Sequence, residues 1–341
     1  MVSVMGLKSK IYYVCRILQA ILPPKRSWNA LKAFVSYQFS KQGKLSKWKR
    51  QPIFISMEPS NVCNLHCPEC PVGVRIEKIK PINIDIQKSK KIIDNLAPTL
   101  THIIFYFQGE PFMNRTFLDL VKYARKKNIL TSTSTNAQLI NNEYAKQIVE
   151  SGLDRIIISI DGTTQEVYER YRVGGKLDKA IQTISSIVEW KEKLKRAHPF
   201  IEIQFIVMKH NEHQIKKIKS LTKKWKADKL TLKSAQIYDF ENGSEFIPTL
   251  EKYSRYKQTE NGTYKIKSPL KNNCKRLWTG GVINSKGEFL PCCFDKNSNF
   301  SFGNLYENDF ETVWNGESAE NFRKNILFDR KQFEMCRNCT E

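Results

Sequence analysis

The rhythm of apolar and polar positions changes three times along the chain. In residues 1–50, Trp28, Leu31, Phe34 and Val35 recur at helical spacing and predict one or two helices. From Pro52 onward the pattern becomes short apolar runs. They read as strands at Ile53–Met57, Ile103–Phe107, Leu130–Thr135, Ile156–Ile160, Ile201–Met208 and Leu230–Ile237. Amphipathic helical stretches lie between them, such as Phe117–Asn128, Asn142–Ser151, Leu177–Leu194 and Gln214–Lys226. Six strands alternating with helices predict an α/β fold of parallel βα units, closing into a barrel or partial barrel. Chemistry in such a fold belongs at the C-terminal ends of the strands.

The alternation stops near residue 240. Glu241–Asn273 is polar, carries Gly and Pro, and reads as a linker or lid. Val282-Ile283 and Phe289-Leu290 then flank Asn284-Ser285-Lys286-Gly287, a hairpin signal, and a helical stretch follows around Phe310–Ile326. The chain thus divides into an N-terminal arm (1–50), a barrel (51–240), a linker (241–273) and a small cysteine-rich α+β domain (274–341).

Composition narrows the class. Hydrophobic residues at 40% suffice for a core and exclude global disorder. The longest apolar run near the N-terminus, Ile11 to Leu22, is interrupted by Arg16 and has no small-residue cleavage site. It is a poor signal peptide and too short to span a bilayer, which leaves an interfacial or docking helix. The expected location is cytoplasmic, with peripheral membrane contact open. Eleven of the 56 Lys and Arg residues and none of the 34 acids fall within residues 1–50. Half of the net charge of +22 therefore sits in a seventh of the chain. Such an arm suits an anionic membrane surface, a nucleic acid or an acidic peptide. A solvated, Lys-rich surface is the simpler reading.

Nine cysteines, an odd number, occur without an export signal, and eight of them cluster. That disfavours a disulfide framework and favours metal sites. Residues 58–71 read Glu-Pro-Ser-Asn-Val-Cys-Asn-Leu-His-Cys-Pro-Glu-Cys-Pro, placing Cys63, Cys67 and Cys70 directly after the first strand. Three thiolates on one loop can hold three corners of a cubane iron–sulfur cluster and leave one iron open. His66 would complete a zinc site instead, although its position between Cys63 and Cys67 points it away from the thiolates. A second set comprises Cys274, Cys292, which follows Gly287 in the spacing G-x-x-x-x-C, and the C-x-x-C pair Cys336 and Cys339. By spacing alone, zinc and an iron–sulfur cluster both qualify there. The spacing from Gly287 favours Cys292 as the ligand over its neighbour Cys293, which is a buried spare or a substitute. Cys15 reads as a small core hydrophobe. His102, His198, His210 and His213 show no ligand spacing.

The first loop resembles the signature of the radical S-adenosylmethionine (radical SAM) superfamily. The resemblance implies a partial (βα)6 barrel and a [4Fe-4S] cluster held by Cys63, Cys67 and Cys70. It further implies S-adenosylmethionine chelating the open iron and reductive cleavage to a 5′-deoxyadenosyl radical that takes a hydrogen atom from substrate. Gln108-Gly109-Glu110-Pro111 is similar to the family's Gly-Gly-Glu-Pro, with Gln in the first position. It implies that Gly109 and Glu110 meet the methionine amino group. Ser159 and Arg172 resemble positions that hold the methionine carboxylate, while Ser134, Thr135 and Asn136 could face ribose or substrate. Glu69 stands where many members carry an aromatic residue near adenine, and Asn211 is a substitute candidate for that contact.

The C-terminal set resembles the SPASM extension in its shortened Twitch form, implying one auxiliary [4Fe-4S] cluster on Cys274, Cys292, Cys336 and Cys339. A flavodoxin- or ferredoxin-type electron donor is implied, and relatives act on peptides, proteins or sugar-like molecules. An auxiliary cluster that accepts an electron favours oxidative or bond-forming chemistry. An epimerase would need a thiol hydrogen donor, for which Cys293 is the candidate. The competing class is a zinc-stabilised nucleic-acid-binding module. Neither cysteine set has the paired C-x-x-C spacing of finger modules, so nucleic acid is not the expected partner.

Overall fold

The computed structural model describes residues 4–44 and 50–340; positions 1–3 and 45–49 of the expected arm, and position 341 of the C-terminal domain, lie outside them. The six expected strands are all present: β1 (Phe54–Met57), β2 (His102–Phe105), β3 (Leu130–Thr135), β4 (Arg155–Ser159), β5 (Phe200–Val207) and β6 (Lys229–Ser234). They pair in parallel in chain order. Helices such as Asn142–Ser151 and Leu177–Lys193 connect them. Local signals set the helix ends. Asn141 accepts a hydrogen bond from the Tyr144 amide, and Gly152 ends that helix in the left-handed conformation at φ 78°. Ile55, Ile103, Ile156, Ile158, Ile201 and Ile203 are fully buried, as strands covered on both faces require.

Two expectations are corrected. The sequence extends the sixth strand to Ile237, but β6 stops at Ser234 because other groups take the backbone beyond it. The Ile237 amide donates to the Tyr256 hydroxyl at 2.8 Å, and its carbonyl accepts from Asn338 Nδ2 at 2.6 Å. The segment read as a linker also has structure of its own. It carries an antiparallel pair, β7 (Tyr256–Gln258) and β8 (Tyr264–Ile266), with Tyr256 stacked on Phe240 at 4.8 Å.

The C-terminal hairpin forms as expected from β9 (Gly280–Ile283) and β10 (Phe289–Leu290). It does not stand apart from the barrel. β9 lies parallel against β1, from Phe54 opposite Gly280 to Met57 opposite Ile283, and makes one eight-stranded sheet. Glycine is required at the contact, since a Cβ on Gly280 would lie 2.5 Å from the Phe54 carbonyl oxygen.

The N-terminal helices α1 (Val4–Ile21) and α2 (Pro24–Ser40) lie across the barrel's bottom, where the strands begin. Arg16 Nε pairs with Asp154 at 2.9 Å, just before β4. Arg26 donates to the carbonyls of Ala97, Lys127 and Asn128. Among the described residues no helix is long and apolar enough to cross a membrane.

Candidate active site

The end of β1 delivers the first cysteine loop to the top of the barrel. Cys67 is buried; Cys63 and Cys70 are half-buried. One cleft brings all three thiols together with Gly109 and Glu110 after β2, Asn136 after β3, Ser159 at the end of β4 and Arg172. Every cluster and S-adenosylmethionine candidate named for this site from the sequence lines that cleft except Asn211. His66 is exposed and outside it, as its position suggested.

The neighbours of each side chain define its work. Gly109 lacks a side chain because the cysteine loop occupies the space: a Cβ there would lie 2.2 Å from the Ser60 carbonyl oxygen and 2.6 Å from that of Val62. The Glu110 carboxylate accepts from the Thr135 hydroxyl at 2.6 Å, the Asn136 amide at 2.8 Å and the Phe112 amide at 3.3 Å. Burial nonetheless pushes its pKa up to about 7. Asn136 turns toward the loop: its Nδ2 donates to Asn64 Oδ1 at 2.9 Å and approaches Cys63 Sγ at 3.5 Å. Arg172 donates through Nε to Asp161 Oδ2 at 2.6 Å, and its Nη1 reaches to 3.9 Å from Cys67 Sγ.

Asn211 is not an adenine contact. It is fully buried, with Nδ2 donating to the carbonyls of Asp161 and Ile206 and Oδ1 accepting from the Met208 amide. Glu69 has no ring to offer; its carboxylate accepts from the Ser244 hydroxyl at 2.9 Å and so anchors the segment that follows β6 to the cysteine loop.

Several residues in and behind the cleft wall escaped the sequence reading. Asp161, two residues after Ser159, is joined to Arg172 through space. Gln108, the departure from Gly-Gly-Glu-Pro, donates through Nε2 to the Lys296 carbonyl at 2.8 Å. Glu58 accepts from the Gln108 amide at 3.2 Å and the Ser285 amide at 3.1 Å, stitching β1 and β2 to the C-terminal hairpin. Lys233, Gln236, Tyr238 and Lys296 complete the wall.

The second cysteine set converges as well. Cys274, Cys292, Cys336 and Cys339 line one small, mostly apolar pocket with Arg276 and Arg330. Arg330 Nη2 donates to Cys339 Sγ at 3.1 Å. Cys293 is not part of this wall; it packs against the cluster of Phe107, Val282 and Leu290. Its thiol nonetheless lies within hydrogen-bond reach of Cys292, whose ionisation it disfavours.

The donor chemistry fits iron–sulfur groups at both places. Burial pushes the Cys63 thiol up to about 12 and the Cys336 thiol up to about 11. Buried thiols so disposed ionise when metal charge offsets the desolvation, and a coordinating thiol is deprotonated outright. Three or four thiols lining one cavity suit a cluster, in which each thiolate takes its own iron.

A parallel sheet carrying three such thiols at its top, beside a four-thiol extension, defines a barrel enzyme built around iron–sulfur chemistry. The sequence profile of the radical SAM superfamily matches residues 57–221, and that of an iron–sulfur cluster-binding (SPASM) domain matches residues 274–340. The chain belongs to the radical SAM superfamily and carries its SPASM extension. Its cofactors are accordingly S-adenosylmethionine, a [4Fe-4S] cluster and an auxiliary iron–sulfur centre. The zinc-finger alternative is set aside.

Among curated proteins, the tungsten-containing aldehyde ferredoxin oxidoreductase cofactor-modifying protein of Pyrococcus furiosus is 25% identical over 84% of this chain and 87% of its own. The PqqA peptide cyclase of Rhodopseudomonas palustris is 23% identical over 85% and 78%. The crystal structure of Streptococcus suis SuiB bound to precursor peptide SuiA superimposes with a TM-score of 0.62 at 16% identity, covering 92% of this chain and 75% of that one.

Proposed function

We propose that this radical SAM enzyme carries out an oxidative or bond-forming modification of a peptide, begun by removal of a substrate hydrogen atom. One observation carries the reading: the thiols of Cys63, Cys67 and Cys70 face Gly109, Glu110, Ser159 and Arg172 across a single cleft. In this reading the three thiols hold the [4Fe-4S] cluster, and Cys274, Cys292, Cys336 and Cys339 hold one auxiliary cluster. When bound, these groups supply one-electron reductive cleavage of S-adenosylmethionine, the hydrogen abstraction that follows, and an electron acceptor on the substrate side.

The chain's own residues bind and orient. Arg172 is clamped by Asp161 and keeps Nη1 directed into the cleft, where a guanidinium and the Ser159 hydroxyl receive the methionine carboxylate. Glu110 retains acceptor capacity beyond its three donors, and with the Gly109 backbone it receives the methionine ammonium. Asn136 directs an N–H at Cys63 and stabilises its thiolate.

A second groove supports an extended substrate. It adjoins the cleft at Glu69, Cys70, Tyr238 and Lys296 and continues past Arg75, Asn297, Phe300 and Asn338. The peptide-acting relative and the peptide-bound fold neighbour favour a peptide over a sugar-like molecule. The four-thiol pocket, able to hold an electron-accepting cluster, favours an oxidative outcome over epimerisation. Electrons would come from a flavodoxin or ferredoxin.

The test is anaerobic reconstitution and reduction, followed by assay for 5′-deoxyadenosine and methionine. Wild-type enzyme forms both, and the triple variant Cys63→Ala/Cys67→Ala/Cys70→Ala forms neither. Persistent 5′-deoxyadenosine in the triple variant would overturn the assignment.

A further inference from the structure

The two N-terminal helices turn contiguous apolar stripes outward, although Tyr13 and Tyr37 pack inward against Phe200 and Trp278. In α1 the residues turned to the barrel include Ser9, Arg16 and Ala20, all buried. The opposite stripe is Leu7, Ile11, Val14, Leu18 and Ile21, at helical spacing and each 41–55% exposed. In α2, Arg26, Asn29, Ala33, Ser36 and Ser40 face inward, while Trp28, Leu31 and Phe34 face outward at 47–57% exposure. Scattered exposed apolar residues are ordinary, but contiguous stripes on two successive helices mark an interaction surface.

The inward arginines are satisfied. Arg16 meets Asp154, and Arg26 meets the carbonyls of Ala97, Lys127 and Asn128. The helices are therefore held in this orientation and cannot simply roll over to hide their apolar faces.

Charge identifies the occupant. Lys8 and Lys10 flank the α1 stripe on either side, Lys25 stands beside the α2 stripe, and all three are exposed. Residues 1–50 contain no acid. A second copy docked face to face would set these lysines against their own kind. A bilayer carrying anionic lipids offers apolar depth for the stripes and negative headgroups for the rim, with Trp28 suited to the interface. We propose that α1 and α2 form a monotopic anchor that seats the enzyme on an anionic membrane surface.

The anchor and the cysteine cleft lie at opposite ends of the barrel strands, so the seated enzyme presents its cleft to the aqueous side. The proposal is independent of which substrate is modified.

The experiment is co-sedimentation of the full-length reconstituted enzyme with phosphatidylglycerol–phosphatidylcholine vesicles and with phosphatidylcholine vesicles. Binding is expected to the anionic vesicles at low salt, and a fraction should persist at about 1 M salt because apolar insertion is not screened. Leu18→Glu/Phe34→Glu should lower the bound fraction at least tenfold while 5′-deoxyadenosine formation stays at the wild-type rate. As a check that does not depend on that variant's folding, brominated lipid should quench the wild-type tryptophan fluorescence, and Trp28→Phe should remove most of the quenching. Absence of wild-type binding at low salt, or quenching unchanged in Trp28→Phe, would overturn the proposal. So would a wild-type dimer in light scattering that Leu18→Glu/Phe34→Glu dissolves without any vesicle binding, which would assign the face to a second copy.

Discussion

Asp161 fixes Arg172: its Oδ2 accepts from Nε at 2.6 Å, and its Oδ1 accepts from the Ile206 amide, also at 2.6 Å. The carboxylate thus ties the guanidinium to β5 and leaves Nη1 to face Cys67. Asp161→Asn should free Arg172 to rotate. We expect at least a tenfold rise in KM for S-adenosylmethionine, and a loss of stability of about 3–5 kcal/mol from breaking a buried pair. Steady-state kinetics at varied S-adenosylmethionine and chemical denaturation measure the two effects separately. Unchanged KM would remove Asp161 from the positioning role.

The two adjacent cysteines should behave differently. Fully reconstituted wild-type enzyme should hold about eight irons, two cubanes of four. Cys292→Ala should fall to about four, whereas Cys293→Ala should stay near eight. Iron and sulfide analysis decides, and the reverse pattern would exchange the two roles.

Two histidines, His198 buried and His102 half-buried, set an acid limit on stability. Burial lowers both His102 and His198 to about 4, below the ordinary imidazole value. Between about pH 6.5 and 4 the unfolded chain binds protons that the folded one does not. The stability they contribute is therefore present above about pH 6.5 and is lost as pH falls toward 4, on the order of 3 kcal/mol for each. Denaturation curves across that range should show the slope, and His102→Gln/His198→Gln should flatten it.

Product analysis separates oxidation from epimerisation. With its peptide substrate in deuterated water, the enzyme should give a product lighter by two hydrogen atoms, and Cys293→Ala should change the yield little. Solvent deuterium fixed at a substrate carbon, and lost in Cys293→Ala, would make the reaction an epimerisation.

The parts of the site legible in the sequence are those encoded locally. Cys63, Cys67 and Cys70 sit within eight residues on one loop, and the βα alternation of the sequence places Gly109, Asn136 and Ser159 at strand ends. What escaped is encoded by contact. Ser285 and Glu58 are separated by 227 positions, so their hydrogen bond has no spacing signal. Asn211 follows β5 as a ligand contact would, but its amide is consumed by backbone. The helical spacing of Trp28, Leu31 and Phe34 was visible, while the side they face was not. That is decided by Arg26 finding carbonyls on the barrel.

The parallel ladder between β1 and β9 has a mechanical consequence. Because Glu58, Gln108 and Ser285 lock the same seam, the two thiol sets behave as fixed points on one frame rather than jaws on a hinge. A substrate that must reach both is accommodated by its own flexibility, so the ordering cost falls on the peptide. Backbone traces of the enzyme with and without its substrate should then coincide across this seam, and tighter substrates will be those already stiffened in the bound shape.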